Sequence, residues 1–261
     1  ADVVVLESTY GDRDHRSMKA TLDEFSGILG DAFGDGGRPH GKILIPAFAV
    51  GRTQNLIYHV GMLRREGKIP EPEVWIDSPM AIETTELYRR HRELFDDECW
   101  AIINAGDSCL HFPGLRYARD RAASEALNPR NGIMVIAASG MCTGGRIVHH
   151  LRHNLGNPAT HLLIVGFQAR GTTGRALVDG AKRVRILGQE VEVRARVDTL
   201  NGFSAHAGRS DLLWWMSGLR TRPRVLLTHG EQMQRERLRG ALEERFGMKA
   251  ELPEFEDSVT L

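Results

Sequence analysis

Unbroken apolar runs alternate with helical stripes along most of this chain. Val3-Val4-Val5-Leu6 reads as a buried strand. Ser17 then stands at a capping position, ahead of Met18, Leu22, Phe25 and Leu29 at helical spacing, and predicts a helix to about Phe33. Lys42-Ile43-Leu44-Ile45 predicts a second strand stopped by Pro46, followed by a helix from about Arg52 to Arg65. Val74-Trp75-Ile76 predicts a third strand, with a helix from Ile82 to Phe95 behind it. Ile133 to Ala137 and Leu162 to Val165 are further buried strands, separated by a helix from about Gly145 to Leu155. Residues 182 to 198 alternate and predict a strand pair turning at Gly188-Gln189. A helix from about Ser210 to Leu219, the strand Val225-Leu226-Leu227 and a helix from Gln232 to Phe246 complete the pattern. Strands alternating with helices predict an α/β architecture with a largely parallel sheet flanked by helices.

Composition narrows the function classes. The chain has 261 residues, 41% of them apolar, enough for one large domain or two moderate ones. Charged residues make up 26% and the net charge is zero, so a nucleic-acid contact would have to come from a local patch. No apolar run approaches the roughly 20 residues of a membrane-spanning helix. Cys99, Cys109 and Cys142 are sparse, odd in number and form no CxxC pair, which favours a reducing, cytoplasmic setting over a disulfide scaffold.

In parallel α/β sheets ligands gather at the carboxyl ends of strands. Here those ends are rich in polar groups. They read Glu7-Ser8-Thr9-Tyr10-Gly11, PAFAVGR over residues 46–52, DSPMA over 77–81, SGMCTGGR over 139–146 and GFQARGTTGR over 166–175. Phe203-Ser204-Ala205-His206 and Thr228-His229-Gly230-Glu231 follow. Several pair glycine with arginine or a hydroxyl, a combination that suits phosphate oxygens: Arg52, Ser139, Arg146, Arg175 and Ser204 are the candidates. For any one such loop an ordinary tight turn is the favoured explanation, and no nucleotide-binding fingerprint of the GxxxxGK[ST] or GxGxxG kind is present.

Taken in order, the seven strings resemble the motifs of the β-CASP family, RNA-processing nucleases of the metallo-β-lactamase fold. The resemblance runs through essentially the whole chain. It implies residues 1–11 as the end of a metallo-β-lactamase segment, 12–203 as a β-CASP domain and 204–261 as the return into a metallo-β-lactamase αββα sandwich. Glu7 matches the family's motif A, His206 motif B and His229 motif C. The resemblance implies two zinc ions, with His229 a ligand of one. His206 would act on the scissile phosphate, and Glu7 would hold His206 and favour its charged form. The implied activity is zinc-dependent hydrolysis of RNA, endo- or exonucleolytic, on single-stranded substrate. A homodimer stays open.

One departure bears on activity. The family's HxHxDH motif, its later single histidine and its bridging aspartate all precede motif A, which begins here at residue 7. The expectation is therefore a fragment that is inactive alone. Competing classes are a non-catalytic RNA-binding or scaffold subunit of the same family, and a phosphate-transferring enzyme built on the glycine-rich turns. Retention of Glu7, His206 and His229 weighs against the scaffold.

Other residues have plainer readings. His149 and His153 could chelate at i, i+4, but no third ligand is evident, so the HHLRH string reads as structural or groove-lining. At least one of Trp214 and Trp215 is expected in the core. Cys142 has no partnered base and is not taken as a nucleophile.

Overall fold

A computed structural model describes residues 1–34 and 41–260. Along the chain run β1 (Val3–Glu7), α1 (Met18–Phe33), β2 (Lys42–Pro46), α2 (Arg52–Arg65), β3 (Glu73–Asp77), α3 (Pro79–Arg90), α4 (Asp97–Asn104), β4 (Leu115–Tyr117) and α5 (Arg121–Glu125). They are followed by β5 (Ile133–Ala137), α6 (Ile147–Asn154), β6 (Thr160–Ile164), α7 (Thr173–Val178), β7 (Arg183–Ile186), β8 (Gln189–Glu192) and β9 (Arg196–Thr199). Last come α8 (Arg209–Ser217), β10 (Arg224–Thr228), α9 (Gln232–Phe246) and β11 (Ala250–Glu251). The described residues divide into two compact units, one made of residues 1–16 and 204–261, the other of residues 17–203.

The larger unit is a sheet in the order β4-β3-β5-β2-β6-β9, parallel throughout. Its inner strands β3, β5, β2 and β6 carry apolar runs because both faces are covered. Ile43, Ile45, Val74, Ile76, Met134, Ile136 and Leu163 point to one face, under Phe25 and Leu29 of α1 and Leu56, Ile57 and Val60 of α2. The alternate residues Leu44, Ile133, Val135, Leu162 and Ile164 point to the other, under Ile147, Val148 and Leu151 of α6 and Leu177 of α7. The α/β expectation with helices flanking a parallel sheet is met.

Three local readings need correction. The helix expected over 82–95 starts at Pro79, because the Ser78 side chain caps it by accepting from the Ala81 N–H, and proline suits a first helical turn. It ends at Arg90, and a short 3₁₀ turn over Arg92–Leu94 follows. The hairpin turns one residue earlier than expected, at Leu187 and Gly188, whose φ values of 51° and 79° give the left-handed pair a tight hairpin needs. Residues 196–199 leave that hairpin and form the edge strand of the large sheet beside β6.

The smaller unit has the parallel order β1-β10-β11. Val4 and Leu6 pack with Val225 and Leu227 against Leu212, Leu213 and Met216 of α8 and Leu238 and Leu242 of α9. These three α8 residues set its inward face. Trp214 and Trp215 therefore point outward, 74% and 49% exposed, and neither joins the core. No helix among the described residues is long and apolar enough to cross a membrane.

Candidate metal and catalytic site

β1 and β10 pair in parallel register, with Glu7 opposite Thr228. Both strands therefore end at the same level, and the residues that follow them are neighbours although 220 positions separate them in sequence. The ends are fastened together: Ser8 Oγ donates to the Thr228 carbonyl at 2.8 Å, and Thr9 Oγ1 to the His229 carbonyl at 2.9 Å. His229 takes a left-handed backbone, φ 49°, that side-chain-bearing residues rarely adopt. The tight crossing leaves no room for a side chain at residue 230, where a Cβ would come within 2.6 Å of the Ser8 carbonyl oxygen.

His206 comes from the start of this unit's second segment, residues 204–261. Its segment is held by Ser204 Oγ, which accepts from the His206 N–H at 3.2 Å, and by His15, whose Nε2 lies 2.8 Å from the His206 carbonyl oxygen. His206 Nδ1 lies 2.8 Å from Glu7 Oε2. The second carboxylate oxygen, Glu7 Oε1, accepts from the Ala207 N–H at 3.1 Å. Burial opposes ionisation of Glu7, but hydrogen bonds from Thr9 and the Ala207 N–H, with His206 beside it, outweigh burial and hold its carboxyl below the ordinary glutamate range. Glu7 is thus an ionised acceptor with both oxygens engaged.

These contacts bear on which nitrogen each ring presents. A carboxylate only accepts, so the His206 Nδ1 beside Glu7 is the protonated one and Nε2 is left outward. Thr9 Oγ1 lies 3.1 Å from His229 Nδ1, and its single proton is claimed by the His229 carbonyl or by Glu7, both acceptors. With that proton on the carbonyl, the Thr9–His229 contact is one in which His229 Nδ1–H donates. In that tautomer His229 Nε2 keeps its lone pair, on an exposed ring. The two rings lie 5.0 Å apart, tilted by 33°. Glu7, His206 and His229 are the group of three potential metal donors among the described residues, with ligand atoms within 4.8 Å of one another. The donor chemistry fits zinc at His229, where a neutral imidazole is oriented from its far nitrogen by a hydroxyl, the arrangement seen behind zinc-binding histidines. It fits less well at Glu7, whose oxygens are already bonded.

The motif reading had missed Thr9, although it sits inside the same string as Glu7. Its signal was a hydroxyl two residues after the carboxylate.

The remaining candidates are placed as follows. Ser204 belongs to the same unit as the cluster and supports the His206 backbone. Arg52, Ser139, Arg146 and Arg175 belong to the larger unit. Arg146 Nη1 bonds Asp77 Oδ1 at 2.6 Å and the Ala118 carbonyl at 2.8 Å. Arg175 Nε pairs with Asp179 at 2.9 Å. Ser139 Oγ accepts from the Thr143 N–H at 3.2 Å inside its own loop, and Arg52 is buried at the start of α2. In the HHLRH string, His150 is buried and its Nε2 lies 2.6 Å from Asp77 Oδ2, while His149 and His153 are exposed. Cys142 is buried, and burial pushes its thiol up to about 12, far from a reactive thiolate.

Comparison with known proteins gives this arrangement a family. Residues 53–177 match the Beta-Casp domain, and residues 190–253 match the Zn-dependent metallo-hydrolase RNA specificity domain. Ribonuclease TTHA0252 of Thermus thermophilus is 44% identical over 89% of this chain and 52% of its own length. Transcription termination factor FttA of Thermococcus kodakarensis is 28% identical over 100% of this chain and 41% of its own. An RNase J-like protein of Methanocaldococcus jannaschii is 27% identical over 89% and 53%. The chain spans about half the length of these relatives. With both domains present in sequence order, the chain belongs to the β-CASP family of Zn-dependent metallo-hydrolases.

Proposed function

We propose that this chain is part of a zinc-dependent ribonuclease that hydrolyses RNA phosphodiester bonds, with Glu7, His206 and His229 in its active site. The observation that carries the reading is the bonding of the two imidazoles. Each is contacted at Nδ1, His206 by Glu7 and His229 by Thr9, which leaves Nε2 of both rings for other work. Two imidazoles whose rings lie 5.0 Å apart can divide the work of one reaction. His229 Nε2 would hold zinc, which when bound supplies Lewis acidity toward phosphate oxygens and activates water. His206 Nε2, backed by an ionised Glu7, would meet the phosphate and carry a proton to the departing oxygen. Glu7 keeps the ring oriented and balances its charge when the proton is present.

Three donors, one of them with both oxygens bonded, are too few for two zinc ions. We infer that the further ligands lie outside the described residues and that the isolated chain has no nuclease activity. The match to the RNA specificity domain and the identity to a protein named as a ribonuclease support RNA as the substrate class.

The test uses the complete protein and a fluorescently labelled single-stranded RNA. His206→Ala should lower kcat by roughly a hundredfold or more while zinc content stays unchanged. His229→Ala should lower zinc content as well. Wild-type cleavage by the His206 variant would remove the assignment.

A further inference from the structure

We propose that His15 is a positioning residue for the reaction, holding the main chain of His206 so that Glu7 can hold its ring. This role rests on the nuclease reading of Glu7, His206 and His229, and it is confined to the smaller unit, which contains residues 1–16 and 204–261.

His206 needs support from outside its own segment. It lies in irregular backbone ahead of α8, and no helix or strand ladder includes it. The support comes from the loop that follows β1, whose residues 10–15 lie along residues 206–210. Tyr10 forms a bridge with Gly208, and the Arg209 N–H donates to the Arg13 carbonyl at 2.9 Å. Asp14 accepts from the Ser210 N–H at 2.7 Å and from Ser210 Oγ at 2.8 Å. His15 Nε2, 2.8 Å from the His206 carbonyl oxygen, completes the series. A carbonyl only accepts, so Nε2 carries the proton and donates it.

The peptide between His206 and Ala207 is thereby held at both ends by one loop. His15 takes its carbonyl, and Glu7 Oε1 accepts from its N–H at 3.1 Å. A peptide unit is planar, so fixing both ends fixes its plane, and with it the direction in which the His206 side chain leaves the backbone. The other oxygen of Glu7 then meets His206 Nδ1 at 2.8 Å. The Ser204 contact cannot replace this tie. It spans only two residues and travels with the segment, whereas His15 is 191 positions away. His15 is itself held: its ring meets the Tyr10 ring edge-on, with centroids 4.4 Å apart at 72°, and Tyr10 is buried.

Without the His15 bond the 206–207 peptide can rock about its Glu7 contact, and the ring moves with it. A shift of about 1 Å at a reacting group can cost about a hundredfold in rate. Zinc held at His229 does not depend on this tie.

The experiment is steady-state cleavage of labelled single-stranded RNA by the complete protein carrying His15→Phe or His15→Gln. Phenylalanine keeps a ring against Tyr10 and loses the donor. Glutamine loses the ring and keeps an N–H donor on a side chain of similar reach. We expect His15→Phe to lower kcat about 10- to 100-fold, with KM changed less than about threefold and zinc content unchanged, and His15→Gln to recover most of the loss. Added to His206→Ala, His15→Phe should cost less than about twofold, because the two residues act as one unit. Should the Phe variant fail to fold, His15→Leu also lacks the donor and carries the same expectation. Parental kcat in a variant without the donor overturns the proposal. Equal losses in the Gln variant and the donor-free variant also overturn it, as does full additivity with His206→Ala, since both mark a structural role. Lost zinc overturns it in favour of a role at the metal. His206→Ala separates the two readings: parental cleavage by that variant removes the nuclease reading and this role together, whereas a His206→Ala defect beside an unaffected His15→Phe variant removes this role alone.

Discussion

Arg146 Nη1 lies 2.6 Å from Asp77 Oδ1, and Asp77 is completely buried. Around that one carboxylate gather Ser124 Oγ at 2.6 Å and His150 Nε2 at 2.6 Å. α5, which follows β4, and the loop and helix α6 that follow β5 thus converge on the last residue of β3. Burial works against the Asp77 charge, but the His150, Ser124 and Arg146 hydrogen bonds outweigh it and hold the carboxyl below the usual aspartate range.

Asp77→Asn should therefore destabilise the larger unit by about 3–5 kcal/mol, because it leaves Arg146 facing a neutral amide. The urea midpoint measures this. The sign with pH follows: a depressed folded pKa gives stability that is present above the unfolded value and lost as pH falls through the folded one. The Asn variant should lose less stability on acidification than the parent. An unchanged midpoint at neutral pH would show that the network is dispensable.

Lys42 predicts the opposite limb. It is buried at the start of β2, bonded to the Leu127 and Asn128 carbonyls and to Asn154 Oδ1, and burial, with Arg130 nearby, brings it down to about 8. Between that value and the ordinary 10.5 the unfolded chain holds a proton that the folded one lacks, so this group makes stability rise with pH across that window. Lys42→Met should flatten the slope of stability between pH 8 and pH 10, read by thermal unfolding at several pH values. The same slope in both proteins would contradict the assignment.

Thr9 controls the His229 ring through one oxygen. Thr9→Val should lower zinc affinity of the complete enzyme by roughly 10- to 100-fold, the usual effect of removing a group that orients a metal-binding histidine. Thr9→Ser should restore most of it. Competition with a zinc-binding dye reads both, and equal affinity in the Val variant would mean that the tautomer is fixed some other way.

Gly230→Ala places a methyl group 2.6 Å from the Ser8 carbonyl oxygen, inside the fastening of β1 to β10. The strand ends must part to admit it. The smaller unit should lose about 1–3 kcal/mol, and His229 should move from its place beside Thr9. Denaturant unfolding followed through the exposed Trp214 and Trp215 would report the first effect. A variant as stable as the parent would show that the crossing is slack.

The buried strands of the larger sheet were legible because a strand covered on two faces must be apolar at every position, as Ile43-Leu44-Ile45 and Ile133 to Ala137 are, whereas Val5 in the apolar run of β1 is 64% exposed. Glu7, His206 and His229 were legible as motif residues, and the structure brings all three together. What escaped was long-range or conformational. Asp77 was visible only as a strand end, since its partners lie 47 to 73 residues away. Leu187 carries no mark of the left-handed turn it adopts. Trp214 and Trp215 are apolar residues in a helix and look like core until the inward face of α8 is set by Leu212, Leu213 and Met216. The helix start at Pro79, by contrast, could have been read from Ser78-Pro79, a cap followed by a residue suited to a first turn.

The pairing of β1 with β10 has a consequence for how the protein is made. Ser8 and Thr228 are 220 residues apart, with the whole larger unit between them. At a synthesis rate of about 5–20 residues per second, roughly 10–45 seconds separate the emergence of the two strands from the ribosome. For that interval Val3-Val4-Val5-Leu6 has no β10 to pair with, and neither does the half-site on Glu7 and Thr9. β1 thus leaves the ribosome well before the strand that seats it, and until then its open edge is exposed to wrong partners.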